Sequence, residues 1–333
     1  MKKQILIYEL TSLCNSRCED CLRTGMNQND YSLTYKEVLT SFNEVLLFSK
    51  NFPSFELKLS GGEPTIWKDR NENKDIIDII KFCHESKINY SLISNGKIFG
   101  IQKLCDSFFN KLKENKIDKL TIYVTIDNYH KNYNNNLDNV ILDNLLSHKE
   151  FELNLYVQST LTKKSEDNLA FTFIEKYSKL GVKFIMNPLL PWGKGKNLDA
   201  VVPYLNLNTS DKSMLGDYEK YFYILGKSQD VWDTYNEYLN FNNFEAIKSI
   251  NCCGKTITFM ENKYYYCMPC SGKDSFEFAK LGNLDYKKYL GYVENNKFIQ
   301  RMKNNDFDLI ELPIKCPVGY GICGLCRKMI ENE

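Results

Sequence analysis

Residues 4–21 read QILIYELTSLCNSRCEDC, and this stretch decides how the rest of the chain is interpreted. The run Gln4–Leu10 is rich in apolar and β-branched residues, which predicts a strand. Three cysteines follow directly, Cys14, Cys18 and Cys21, in the spacing C-x3-C-x2-C. Thiolates are the soft ligands of iron–sulfur clusters, and three of them on one loop predict a 4Fe–4S cluster with one open iron. A fragment of a zinc site is the alternative interpretation.

Five more β-rich runs follow, and a stretch of helical length separates each from the next. The predicted strands are Phe55–Leu59, Tyr90–Ser94, Leu120–Ile126, Glu152–Ser159 and Lys183–Pro188. The predicted helices cover 34–50, 73–86, 98–114, 135–148 and 164–180. This alternation is typical of βα units and predicts an α/β fold with a parallel sheet.

Parallel sheets carry their working residues at the carboxyl ends of the strands. The residues at these ends are Gly61, Gly62 and Glu63 after the second strand, Ser94 and Asn95 at the third, and Asp127, Tyr129 and His130 after the fourth. Paired glycines allow the backbone to approach a ligand closely, although they also suit a plain turn. Asp127 and the Tyr129–His130 pair have two interpretations, a cap with a packed pair or groups that contact substrate.

A second cysteine group lies in the C-terminal part of the chain, at Cys252, Cys253, Cys267, Cys270, Cys316, Cys323 and Cys326. The segment between Cys253 and Cys267 predicts a hairpin that turns at Glu261-Asn262, and residues 285–304 predict a helix. The spacing suits a closed cluster or an all-thiolate zinc site equally well.

Charge and cysteine usage limit the partners and the compartment. The 333 residues carry a net charge of +1, which predicts binding to neither nucleic acid nor an anionic membrane. No signal peptide or spanning segment is evident, so we expect a cytoplasmic protein. In a reducing compartment, clustered cysteines favour metal binding over disulfides. Cys83 and Cys105 stand alone in helical patterns and are predicted to pack in the core.

The cysteine triplet and the run Ser60-Gly61-Gly62-Glu63-Pro64 resemble those of the radical S-adenosylmethionine (SAM) superfamily. The resemblance implies that the open iron chelates the amino and carboxylate groups of SAM. It also implies contacts to SAM from Gly61, Gly62, Glu63, Ser94 and Asn95, and, by position in the fifth and sixth strands, from Gln158 and Asn187. One departure is Asp20, where the family usually has an aromatic residue. A charge there would tune the cluster potential.

The C-terminal cysteine order resembles the twitch extension, half of a SPASM domain, of that superfamily. This implies an auxiliary 4Fe–4S cluster on Cys253, Cys267, Cys323 and Cys326, with Cys252 as the alternative to Cys253. The predicted organisation is a partial (β/α)6 TIM-like barrel over 1–200, a helical connecting region over 201–250 and a twitch domain over 251–333.

The tail Ile-Cys-Gly-x-Cys and the run Asp127-x-Tyr129-His130 are most similar to those of twitch-containing peptide epimerases. In that group a cysteine directly after the hairpin ligand quenches the substrate radical. Here Met268 takes that place and Cys270 lies two residues further on, so Cys270 as hydrogen-atom donor is a hypothesis. Cys270 and Cys316 are otherwise buried thiols or alternative ligands.

The resemblance implies an enzyme that cleaves SAM to a 5′-deoxyadenosyl radical and modifies a ribosomally made peptide, by epimerisation, cross-linking or another change. The alternatives are a radical SAM dehydrogenase or rearrangement enzyme of a sugar-like or aminocyclitol molecule, and a non-catalytic zinc-binding module. The expected partners are the substrate and an electron donor such as flavodoxin or ferredoxin, and we expect a monomer.

Overall fold

A computed structural model describes residues 4–18, 21, 31–127, 137–160, 171–187, 256–266, 276–296 and 300. The strands are β1 Gln4–Glu9, β2 Phe55–Ser60, β3 Lys68–Asp69, β4 Lys74–Asp75, β5 Tyr90–Ser94, β6 Lys119–Thr125, β7 Glu152–Thr160, β8 Lys183–Asn187, β9 Thr256–Met260, β10 Lys263–Tyr266 and β11 Glu277–Lys280. The helices are α1 Tyr35–Ser49, α2 Ile76–Glu85, α3 Gln102–Glu114, α4 Leu137–Ser147, α5 Phe171–Ser178 and α6 Tyr286–Asn295.

The six predicted strands all form, and they pair in parallel in the order β1-β2-β5-β6-β7-β8. The five predicted helices lie between them. The first begins at the predicted Thr34–Glu37 capping box, in which the Thr34 side chain accepts from the Glu37 amide and the Glu37 carboxylate accepts from the Thr34 amide. The α/β fold with a parallel sheet is confirmed; closure into a partial barrel and the twitch domain remain predictions.

The C-terminal hairpin extends the same sheet. β9 pairs in parallel with β1, and β10 and β11 continue in antiparallel, so the order is β11-β10-β9-β1-β2-β5-β6-β7-β8. The predicted turn is confirmed, with φ of 49° at Glu261 and 59° at Asn262, as a two-residue type I′ turn requires. The predicted domain limits at residues 200 and 250 lie outside the described residues.

The register gives the sheet two different faces. One apolar row, Leu59, Leu92, Ile122 and Leu155, crosses four neighbouring strands and belongs to the hydrophobic core that also contains residues of α1–α5. The opposite face carries a row of cations and aromatic rings. Lys58 Nζ lies 3.9 Å from the Tyr123 ring centroid, Tyr123 stacks on Tyr156 at 4.6 Å, and Lys183 Nζ lies 3.2 Å from the Tyr156 hydroxyl.

The C-terminal hairpin and α6 pack against α1. Glu44 of α1 accepts from the Tyr264 hydroxyl and from the Leu284 amide, both at 2.9 Å. Tyr289 of α6 is 6% exposed, and its ring meets Phe48 and Phe278 edge-on. The helix α1 near the start of the chain and the helix α6 therefore contribute to one hydrophobic core.

The isolated cysteines Cys83 and Cys105 are fully buried in that core, as predicted. Burial raises the pKa of the Cys105 thiol to about 12 and that of Cys83 further. Both thiols are therefore protonated near neutral pH and serve as packing groups. In the part of the chain that the structure describes, no helix is long and apolar enough to cross a membrane.

Candidate active site

The loop that follows β1 carries the cysteine triplet. Cys14 is exposed, Cys21 is half-buried and Cys18 is buried. Burial nevertheless raises the pKa of the Cys14 thiol, and the Ser16 amide, which donates to Cys14 Sγ at 3.3 Å, opposes this rise. The donor set has the soft sulfur chemistry that an iron–sulfur cluster needs. Among the described residues, no three cysteine, histidine or acidic side chains lie close enough to hold one single metal ion. A 4Fe–4S cluster binds each thiolate at a different iron, and it remains a prediction.

Gly61 and Gly62, after β2, lie directly against the start of the cysteine loop. The Gly62 amide donates to the Thr11 carbonyl at 2.6 Å, and the next amide donates to the Leu13 carbonyl at 2.8 Å. A Cβ at Gly61 would come within 3.0 Å of the Thr11 backbone, and one at Gly62 within 3.0 Å of the Leu13 backbone. Gly61 also has a φ of 138°, which disfavours any side chain. The close approach predicted for this pair is therefore made to the backbone of the cysteine loop.

Glu63 joins the ends of β2 and β5. Its side chain is 1% exposed, and its Oε1 accepts from the Ser94 hydroxyl at 2.9 Å and from the Thr65 hydroxyl at 2.6 Å. Its Oε2 accepts from the Asn95 amide at 2.7 Å. Burial raises the pKa of Glu63, and these hydrogen bonds oppose the rise. Glu63 and Ser94 thus fix the β5 loop, whereas a SAM contact from either stays a prediction.

Asn95 reaches from the β5 loop to the cysteine loop. Its Nδ2 lies 2.7 Å from Asn15 Oδ1 and 3.7 Å from Cys14 Sγ. Lys97, two residues further, donates from Nζ to the Asn15 carbonyl at 2.9 Å. Sequence reasoning missed Lys97 and Asn15, because only the parallel order of β1, β2 and β5 brings their two loops together.

The other predicted residues lie further along the same sheet edge. Asp127 follows β6, is buried, and accepts from the Thr160 amide at 2.9 Å, which ties the ends of β6 and β7. Gln158 is half-buried and pairs with Ile185 of β8. Asn187 ends β8, and its side chain lies outside the described residues.

Several predicted residues lie outside the described residues, so their positions stay predictions. They are Tyr129, His130, Cys252, Cys253, Cys267, Met268, Cys270, Cys316, Cys323 and Cys326.

Comparison with curated proteins gives short sequence matches. No protein-family model matches the chain. A stretch of 117 residues is 30% identical to the probable GTP 3′,8-cyclase of Pyrococcus horikoshii, and it covers 35% of this chain and 33% of that protein. A stretch of 118 residues is 29% identical to the probable GTP 3′,8-cyclase of Methanococcus aeolicus, over 35% of this chain and 36% of that protein. The chain thus matches about a third of the length of these relatives.

Comparison with solved structures gives likenesses over most of the chain. Streptococcus suis SuiB, bound to the precursor peptide SuiA, has a TM-score of 0.59 and 14% identity, and the match covers 97% of this chain and 71% of SuiB. Native anSMEcpe, with bound AdoMet and a Kp18Cys peptide, has a TM-score of 0.51 and 17% identity, and the match covers 91% of this chain and 84% of that one. At these identities the likeness is one of fold.

Proposed function

We propose that this chain, which has the fold and the cysteine motif of the radical SAM enzymes, abstracts a hydrogen atom. The hydrogen comes from a ribosomally made peptide. A 4Fe–4S cluster held by Cys14, Cys18 and Cys21 would supply the chemistry, since together with SAM it provides the 5′-deoxyadenosyl radical. The observation that supports this most directly is the convergence of the β2 and β5 loops on the cysteine loop. Gly62, Glu63 and Asn95 hold the loop at the carboxyl edge of the parallel sheet, where such folds bind their ligands.

The peptide substrate is supported by the two structural likenesses. SuiB is bound to a precursor peptide and anSMEcpe to a peptide, and the fold of each resembles most of this chain. Cys270, Asp127, Tyr129 and His130 are the residues that we assign to the substrate. One observation favours the rival: the likeness to GTP 3′,8-cyclases over a third of the chain supports a small-molecule substrate.

We also assign an auxiliary 4Fe–4S cluster to Cys253, Cys267, Cys323 and Cys326. The β9–β10 hairpin supports this assignment. Its last residue pair, at the end opposite the turn, joins Ile257 and Tyr266. In the sequence, Cys253 precedes Ile257 by four residues and Cys267 directly follows Tyr266, so both cysteines adjoin the same end of the hairpin. This function also needs an electron donor, for which we propose a cytoplasmic protein such as flavodoxin or ferredoxin.

The experiment is anaerobic reconstitution with iron and sulfide, followed by incubation with SAM and a strong reductant. We expect the wild-type chain to form 5′-deoxyadenosine and the Cys14→Ala variant to form none, because the open-iron cluster needs all three thiolates. Cys105→Ala is the matched control, since this buried thiol serves packing, and it should keep the activity.

Two results would contradict the proposal. Wild-type protein that takes up zinc instead of iron would favour the zinc-binding module, and intact SAM under strong reductant would exclude the radical chemistry. The substrate class is decided separately, by adding either a peptide encoded beside the gene or an aminocyclitol and following 5′-deoxyadenosine. Faster formation with the peptide supports our assignment, and faster formation with the small molecule supports the rival.

A further inference from the structure

The side-chain amide of Asn95 is oriented as a hydrogen-bond donor toward the cysteine loop. Its Oδ1 accepts from the Lys97 amide at 3.0 Å, which leaves both Nδ2 protons for other groups. Nδ2 then lies 2.7 Å from Asn15 Oδ1 and 3.7 Å from Cys14 Sγ. The residue is 9% exposed, so water competes little for this donor.

A buried carboxylate, that of Glu63, fixes the backbone of Asn95. Glu63 Oε2 accepts from the Asn95 backbone amide at 2.7 Å, and Ser94 donates to the other carboxylate oxygen. In the cysteine loop, the Asn15 carbonyl accepts a hydrogen bond from Lys97 Nζ at 2.9 Å. These bonds hold the donor, and the Cys14 sulfur also accepts from the Ser16 amide at 3.3 Å, so protein groups preorganise the contact between Asn95 and the sulfur.

We propose that Asn95 is a positioning residue for the cluster, and that its N–H bond to the Cys14 sulfur raises the reduction potential of that cluster. The inference rests on the proposed function, since it requires a cluster on Cys14. Hydrogen bonds to ligand sulfurs stabilise the reduced cluster, which carries more negative charge, and so they shift its potential upward. Asn95 thereby makes the one-electron reduction of the cluster easier without touching the substrate.

The test is a redox titration of the reconstituted protein that measures the midpoint potential of the cluster. The electron paramagnetic resonance signal of the reduced cluster monitors the titration. Asn95→Ala removes the donor, so we expect a midpoint potential more negative than that of the wild type. Asn95→Asp keeps the shape and the acceptor for the Lys97 amide but places a carboxylate beside the sulfur. We expect a larger negative shift from it. Because it is isosteric, it remains informative if the alanine variant assembles poorly.

Asn15→Ala is the matched control, because it removes the other partner of the same amide and leaves the sulfur contact in place. Its potential should stay at the wild-type value. Wild-type potentials in both Asn95 variants, or an equal shift in Asn15→Ala, would overturn the assignment while leaving the proposed function intact. A wild-type chain that assembles no cluster would overturn the proposed function, and this inference with it, which iron and sulfide analysis shows before any titration.

Discussion

Gly62→Ala should damage the contact between the β2 loop and the cysteine loop. The new methyl group would lie within 3.0 Å of the Ser12 and Leu13 carbonyl oxygens, which are backbone atoms and cannot rotate away. Overpacking of this kind costs about 1–3 kcal/mol. The shift also breaks the hydrogen bonds to the Thr11 and Leu13 carbonyls, at about 1 kcal/mol each. We therefore expect a loss of about 3–5 kcal/mol in the free energy of unfolding.

Urea unfolding monitored by circular dichroism measures this loss. The iron content after reconstitution measures whether the cysteine loop still binds a cluster. Gly291→Ala is the control, because among the described residues no heavy atom outside the adjacent residues and the backbone of α6 lies within 4 Å of a Cβ at this position. Alanine should stabilise that helix by up to about 1 kcal/mol. If Gly62→Ala unfolds at the wild-type urea concentration and binds the wild-type amount of iron, the β2 loop and the cysteine loop do not approach each other as closely as described.

Two further variants test the buried carboxyl group and the C-terminal packing. The raised pKa of Glu63 means that the folded chain binds this proton more tightly than the unfolded chain, so its contribution to stability falls as the pH rises above 4.5. Glu63→Gln should remove this component from urea titrations at a series of pH values, and an unchanged pH dependence would refute the assignment. Tyr289→Ala should cost about 3–5 kcal/mol, since it removes a buried ring between Phe48 and Phe278. Tyr289→Phe keeps the ring and should unfold near the wild-type midpoint. Equal urea midpoints for the wild type, Tyr289→Ala and Tyr289→Phe would contradict the packing of α6 on α1.

The alternation of strands and helices could be predicted from the sequence because its signals are local. Each strand of the parallel sheet is an apolar β-rich run, and α1 begins at a capping box that four residues define. The turn at Glu261-Asn262 has a similar local signature. The strands, α1 and this turn therefore form within one or two residues of their predicted limits. The helix predicted over 98–114 begins only at Gln102, and the helix predicted over 285–304 ends at Asn295.

The pairing of β9 with β1 could not be predicted, because no local pattern states which distant strand a hairpin joins. β11 was also missed, since its four residues, EFAK, have no extended apolar alternation. In the site, the sequence placed Gly62, Glu63 and Asn95 at the correct strand ends. Their partners in the cysteine loop became evident only from the order of the strands.

The position of β1 between β2 and β9 has a consequence for the synthesis of the chain. β1 can pair with β2 once residue 60 has left the ribosome, whereas its other edge stays open until residues 256–260 follow. An open edge strand invites pairing with other chains, and closing such a distant contact slows folding. The nascent chain therefore carries an unprotected edge beside its first cysteines through most of translation, and early iron loading or chaperone binding at this edge would favour the correct product.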